Sequence, residues 1–337
     1  VTRTFDDREA QRERTPILVG LVGPSGSGKT YSALRLAEGF QRVTGGETFV
    51  IDTEAKRALH YAAKFKFRHV EFRAPFGPLD YLAAITHCVT KGASTIIVDS
   101  TSHEHEGEGG VLEMHEQEHK RLGGKDGTKL LAWGKPKRER QRLINTILQM
   151  PCNFIFCFRA KEKLRIEKGK DPVKLGFQPI AGSEWIYEMT LKALLLPGAM
   201  GVPSWQPDEI GEKAMVKLPE QFREIFAKGP QLSEDVGEQL ARWAAAGAGS
   251  GAAKPTAVDE LVAKYAVCPD AAEWAEIEKE RGAAWPKLSG KEKARAKDAA
   301  AAAAERIAQA ESAQAGDAQP DAPPDDEDIP FQKAAAQ

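Results

Sequence analysis

Between residues 15 and 243, short runs of apolar and β-branched residues alternate with longer stretches in which apolar positions recur at helical spacing. The runs at 17–22, 48–52, 69–72, 95–99 and 153–158 predict strands. Several are apolar throughout, the pattern of a parallel sheet with helices on both faces. Between them, residues 30–42, 79–91 and 136–149 predict helices. In the last, Leu143, Ile144, Ile147 and Leu148 fall on one stripe and Pro136 suits the first turn. The alternation predicts an α/β fold with a mostly parallel central sheet.

After Trp243 the pattern changes. Residues 244–256 (AAAGAGSGAAKPT) have the composition of a flexible linker. Residues 257–311 regain helical character, with Trp274 and Ile277 three apart and an alanine run at 299–304, and predict a small helical domain. Residues 312–337 mix acids with prolines and alanines and are expected to be disordered. Residues 1–14 form an arm and residues 15–243 the core.

Composition narrows the class. With 42% hydrophobic and 28% charged residues the chain can bury a real core, and 337 residues suit one domain of about 200–250 with appendages. Lys plus Arg number 47 against 49 Asp plus Glu, a net charge of −2, which excludes a uniformly basic nucleic-acid coat and a strongly acidic disordered chain. Residues 1–14 hold no apolar stretch and no run approaches 18 apolar residues, so neither a secretory signal nor a membrane span is expected. Cys88, Cys152, Cys157 and Cys268 lack CxxC pairing and metal-ligand spacing, which points to a reducing cytoplasm.

The chemistry begins at Gly23, Pro24, Ser25, Gly26, Ser27, Gly28, Lys29 and Thr30, a complete GxxxxGK[ST] between an apolar strand and an amphipathic helix. Its glycines let successive backbone N–H groups turn inward on a phosphate, and the helix N-terminus adds partial positive charge. Lys29 is expected on the β- and γ-oxygens of ATP and the Thr30 hydroxyl on Mg2+. The strand Thr95, Ile96, Ile97, Val98 ends in Asp99, placed to hold a water of the same metal ion. Hydrolysis also needs a base for the attacking water. Glu54, just past the strand at 48–52, is the candidate, with Asp52 the alternative.

These residues, with the IDTE strand end and the AKRALHY that follows it, resemble the core of RecA-like recombinases, and most closely the compact phage-encoded RecA-like ATPases of single-strand annealing. The resemblance spans residues 15–201. It implies a RecA-like P-loop ATPase that uses ATP and Mg2+, binds single-stranded DNA, promotes annealing or recombination and works as a homo-oligomer. It places Lys29 and Thr30 in the P-loop roles, Asp99 as the strand-end acid and Glu54 as the residue that polarises water. Where RecA has a glutamine that senses the γ-phosphate, this chain has Arg159, Ala160 and Lys161; Arg159 or Lys161 is the expected sensor. Two other readings stay open: a helicase accessory or loader ATPase, and a nucleotide-binding scaffold that recruits partners.

Charge is segregated along the chain. Residues 135–174 carry twelve basic residues against four acids. The part with Lys161, Lys163, Arg165, Lys168, Lys170 and Lys174 reads as a loop or hairpin after a core strand, the place where the resemblance puts single-stranded DNA. Phe177 is a base-stacking candidate for which a core role is favoured. Residues 102–120 hold six glutamates and four histidines, and His115 to His119 spell HExxH. Polar neighbours on nearly every side argue against a zinc protease and for a loop and helix beside the nucleotide or DNA site. Finally, Asp325, Asp326, Glu327, Asp328, Ile329, Pro330 and Phe331 are similar to the acidic tip of bacterial single-stranded DNA-binding proteins. That likeness implies docking to a replication or repair protein, although Gln332 to Gln337 follow the phenylalanine.

Overall fold

Apolar runs with no polar face need cover on both sides, and the fold supplies it as three layers. The computed structural model describes residues 7, 9, 10, 12–166, 171–209, 211–246 and 257–316. In chain order the elements are β1 (Leu18–Gly23), α1 (Lys29–Thr44), β2 (Glu47–Asp52), β3 (Arg68–Glu71), α2 (Pro78–Thr90), β4 (Ala93–Asp99), α3 (His103–Glu106), α4 (Val111–Arg121), α5 (Gly134–Ile147), β5 (Asn153–Arg165), β6 (Val173–Pro179), α6 (Ser183–Glu188), β7 (Leu191–Leu194), α7 (Arg223–Phe226), α8 (Glu234–Ala245), α9 (Ala257–Val267), α10 (Ala271–Ala284) and α11 (Gly290–Gly316). The sheet runs β3-β2-β4-β5-β1-β7 with every neighbour parallel, and β6 pairs antiparallel with the outer part of β5.

Alternate residues of the strands feed two cores. On one face Val19, Leu21, Val50 and Ile155 pack with Leu36, Phe40 and the α8 residues Val236 and Leu240. On the other, Ile96, Val98, Phe154 and Phe156 meet Tyr81, Leu82 and Ile85 of α2 and Leu143 and Ile147 of α5. Each such side chain removed from water contributes about 1.5–3 kcal/mol. That is ample to carry the polar groups the sheet buries at its carboxyl edge. Register brings those groups level: Asp52 lies opposite Asp99, Asp99 opposite Cys157, and Gly23 opposite Arg159.

All five expected strands and all three expected helices form, with ends shifted by a few residues. The largest difference is β5, which continues to Arg165 instead of ending at Phe158 because β6 pairs with it beyond the sheet. Of the loop or hairpin expected around 161–174 the hairpin forms, as β6 paired with β5, while the strand β7 and helix α8 go beyond the elements expected from the pattern. The helical part after the linker consists of α9, α10 and α11, and α11 runs on through Gly316. It packs against the amino-terminal edge of the sheet, where Val262 and Ala263 lie beside Val89, Met150 and Pro151. The linker residues 247–256 and the tail from 317 to 337, with its acidic segment, lie outside the described residues. No described helix is long and apolar enough to cross a membrane.

Candidate nucleotide site

The strand β1 delivers Gly23 to the carboxyl edge, and α1 starts six residues later at Lys29, so the intervening loop wraps the positive end of the helix. Gly26 and Gly28 sit at φ +79° and +85°, the left-handed region, with nothing within 4 Å of where a Cβ would stand. Conformation, and not space, is what demands glycine here. The Lys29 ammonium folds back on its own loop, donating to the carbonyls of Gly23 (2.9 Å) and Pro24 (2.7 Å). Burial holds its pKa below the usual lysine range, against the attraction of Asp99 and Glu54. The Thr30 hydroxyl donates to Asp99 Oδ2. Asp99 is only 5% exposed, and burial lifts its carboxyl to about 6 even though the Thr30 hydrogen bond pulls the other way.

Glu54 forms the opposite wall. The turn after β2 holds Ala55 and Lys56 at φ 55° and 67°, a conformation that costs side-chain-bearing residues of order 1 kcal/mol each and has to be held from outside. Asp52 holds it: its carboxylate accepts the N–H groups of Glu54 (2.7 Å) and Ala58 (2.9 Å) and His69 Nε2 (3.1 Å). Asp52 is 1% exposed and committed to the turn, which removes it as the alternative base. The Glu54 carboxylate reaches the cleft, where Arg159 grips it through Nε (2.8 Å) and Nη2 (2.9 Å) and Arg57 approaches to 3.3 Å. Ser25, Lys29, Thr30, Glu54, Asp99 and Arg159 together line a cleft of about 460 Å3. On the far side of the glycines a second hollow, about 520 Å3, lies between Tyr31, Arg35, Met200 and Gln231.

A protein-family model described as an AAA domain matches residues 15–190, more than half of the chain. The chain belongs to the AAA domain family. No curated protein sequence matches it. With its mostly parallel α/β sheet, this AAA domain is a nucleotide-binding P-loop ATPase domain. Its residues fit the Mg2+ and phosphates that such a domain uses. The Ser27 hydroxyl is buried without a partner in the loop, the left-handed glycines leave an open cradle, and two hard oxygen donors, Thr30 Oγ1 and Asp99 Oδ2, converge beside it.

The AAA domain also uses hydroxyl groups that motif reading passed over. Thr53 N donates to Asp99 O at 2.9 Å, Ser100 N donates to Thr53 Oγ1 at 2.8 Å, and His103 Nδ1 lies 2.7 Å from the same hydroxyl. Ser102 Oγ accepts the Arg159 N–H at 2.8 Å. This tie between β5 and the turn after β4 keeps Arg159 level with Glu54. The only sequence signal was the hydroxyl run Ser100, Thr101, Ser102 directly after Asp99. Burial, reinforced by Arg159, holds the His103 imidazole below its usual range.

The basic run divides into separate uses. Arg140 is buried, forms a bidentate pair with Glu104 at 2.9 and 3.0 Å and supports the fold, while Arg159 faces the nucleotide cleft. Lys161, Lys163, Arg165 and Lys174 stand exposed on the β5–β6 hairpin, with Lys161 paired to Glu106 at 2.9 Å; Lys168 and Lys170 lie outside the described residues. Phe177 packs partly buried against the core. In the HExxH segment His115 is buried, stacks on Trp133 with centroids 4.1 Å apart and bonds Lys129 O at 2.9 Å. No group of three metal-ligating side chains occurs among the described residues.

Proposed function

We propose that this AAA domain is a RecA-like ATPase whose turnover depends on single-stranded DNA, serving annealing or recombination as a homo-oligomer in a phage replication module. One observation carries the reading: Arg159 on β5 clasps Glu54, and two residues later the same strand leaves the sheet as the basic arm of the hairpin. Occupancy of the hairpin is thereby tied through a stiff, hydrogen-bonded strand to the group that takes the proton of the attacking water.

Lys29 exchanges the Gly23 and Pro24 carbonyls for phosphate oxygens when ATP enters, and backbone N–H groups of the loop meet the rest of the phosphate chain. Thr30 and Asp99 would hold Mg2+, which would supply positive charge beside the phosphates. Arg159 lines the same cleft and transfers its two donors from Glu54 to the γ-phosphate. Glu54 is then free to accept a proton. The tail segment 325–331 serves a replication or repair partner.

The test is ATP turnover with and without an oligo-dT strand, in wild type and Glu54→Gln. Wild type is expected to turn over ATP and to be stimulated by the strand, and the variant to retain ATP binding while losing roughly 100-fold or more in rate. Absence of turnover in wild type, or an unchanged rate in the variant, defeats the assignment.

A further inference from the structure

The helical part carries a charged aromatic surface remote from the nucleotide cleft. Residues 281–297 contain six basic side chains, at Arg281, Lys287, Lys291, Lys293, Arg295 and Lys297, against the single acid Glu292. Three of the cations surround one ring: the Arg281 guanidinium lies 5.3 Å from the Trp285 ring centroid, and the ammonium groups of Lys293 and Lys297 lie 5.7 and 5.5 Å from it. Energetically significant cation–π contacts occur about once per 70–80 residues, so three on one ring is a concentration, not background.

The ring is fixed from beneath by the small apolar cluster of Val258, Leu288 and Ala296. Counter-charge is sparse. Arg281 pairs with Glu278, and Glu292 is turned back on Ser289 to start α11, accepting from its N–H and hydroxyl at 2.7 Å. Lys287, Lys293 and Lys297 make no ion pair among the described residues. Lys293 and Lys297, held over an electron-rich face with no ion-pair partner among the described residues, together with Lys287 two positions from the ring in sequence, form a site for several linked anionic groups and not for one carboxylate. Lys293 and Lys297 stand one helical turn apart, about 6 Å, so neighbouring phosphates of one backbone can meet both.

We propose that the Trp285 surface is a nucleic-acid contact that grips the phosphodiester backbone, independent of the β5–β6 hairpin. The α9–α11 part sits at the amino-terminal edge of the sheet, so this contact lies away from the ATP cleft, which opens at the carboxyl edge. It extends the single-stranded DNA reading but does not require that Glu54 be the base.

The experiment uses the full chain with Lys287, Lys293 and Lys297 all changed to Glu, and in parallel all to Gln, which keeps the alkyl stems should the reversal disturb folding. Binding of a labelled oligo-dT and of a duplex is followed against salt. Both variants are expected to bind at least tenfold more weakly, and the slope of log K against log salt to flatten by about 2 for the single strand. DNA-free ATP turnover should be unchanged. If wild type binds no single strand but binds duplex through these lysines, the single-strand reading of the ATPase fails and this contact stands. Unchanged affinity of both variants for both nucleic acids overturns the contact. It is equally overturned if the lysines govern only capture of a synthetic peptide spanning residues 317–337, which would assign the patch to the chain's own acidic tail.

Discussion

Asp99 shows how burial governs a single residue. Its carboxyl is lifted from 3.8 to about 6, mainly by loss of water. Below about pH 4 the group is protonated both folded and unfolded and contributes nothing to the pH dependence. As pH rises toward 6 the unfolded chain ionises freely while the folded one resists. Stability is therefore lost across that window and stays lost above it. Asp99→Asn should raise the stability of the nucleotide-free protein near neutral pH by of order 1–3 kcal/mol, with no gain near pH 4, as read by thermal melts at the two pH values. The same substitution should abolish Mg2+-dependent nucleotide binding. A gain equal at both pH values would mean that the carboxylate is not strained by burial. The P-loop and Asp99 were legible in sequence because each is a contiguous motif, whereas the commitment of Asp52 to a turn was not, since its partners include the side chain of His69 on another strand.

The helices α1 and α8 approach one another closely. A Cβ on Gly39 would stand 2.0 Å from Glu234 O and 2.6 Å from Glu238 N, so the two helices touch backbone to backbone. Arg35 of α1 clamps the same end of α8 through Glu234, at 2.9 and 2.7 Å. Gly39→Ala gains helix propensity in isolation, yet here it must push α8 away and should destabilise by about 1–3 kcal/mol. Gly282→Ala in α10, where nothing stands within 4 Å, should instead stabilise by about 0.5–1 kcal/mol. Chemical denaturation of the two variants checks the contrast, and a loss in both would argue against the close approach as the cause. Within α8, Gly237 interrupts the helical pattern on propensity grounds, while packing against Leu36 O, 2.3 Å from its would-be Cβ, requires it. The four-residue β7 has too little length for any periodicity to declare itself.

Across the whole molecule, charge that looks continuous in sequence is distributed by the fold. Of the described residues of the basic run, Arg140 goes to a buried pair, Arg159 to the cleft and Arg142 to a half-buried place on α5, while the exposed ones stand on the hairpin and α5. Neutralising Lys163 and Lys174 to Gln should weaken single-strand binding and reduce its salt slope by about 1.4, without altering DNA-free turnover, in fluorescence anisotropy titrations at several salt concentrations. An unchanged slope would move DNA off the hairpin. The near-neutral net charge of −2 also acquires a spatial meaning. Residues 311–337 carry seven acids and Lys333, so the rest of the chain is net basic.

Contiguous residues determined what local chemistry can encode: an alternation of buried strands and amphipathic helices, a glycine loop closed by Lys29 and Thr30, and an apolar strand ending in Asp99. Each depends on backbone conformation or on spacing along one element, which a linear pattern records. Tertiary structure decided the rest. The grip of Arg159 on Glu54 joins residues 105 positions apart, the stacking of His115 on Trp133 turns a metal-like motif into packing, and the ring of cations around Trp285 is drawn from both α10 and α11. Such pairings follow from sheet register and helix docking, whose free energy is set by burial over the whole core, so no stretch of sequence carries them by itself.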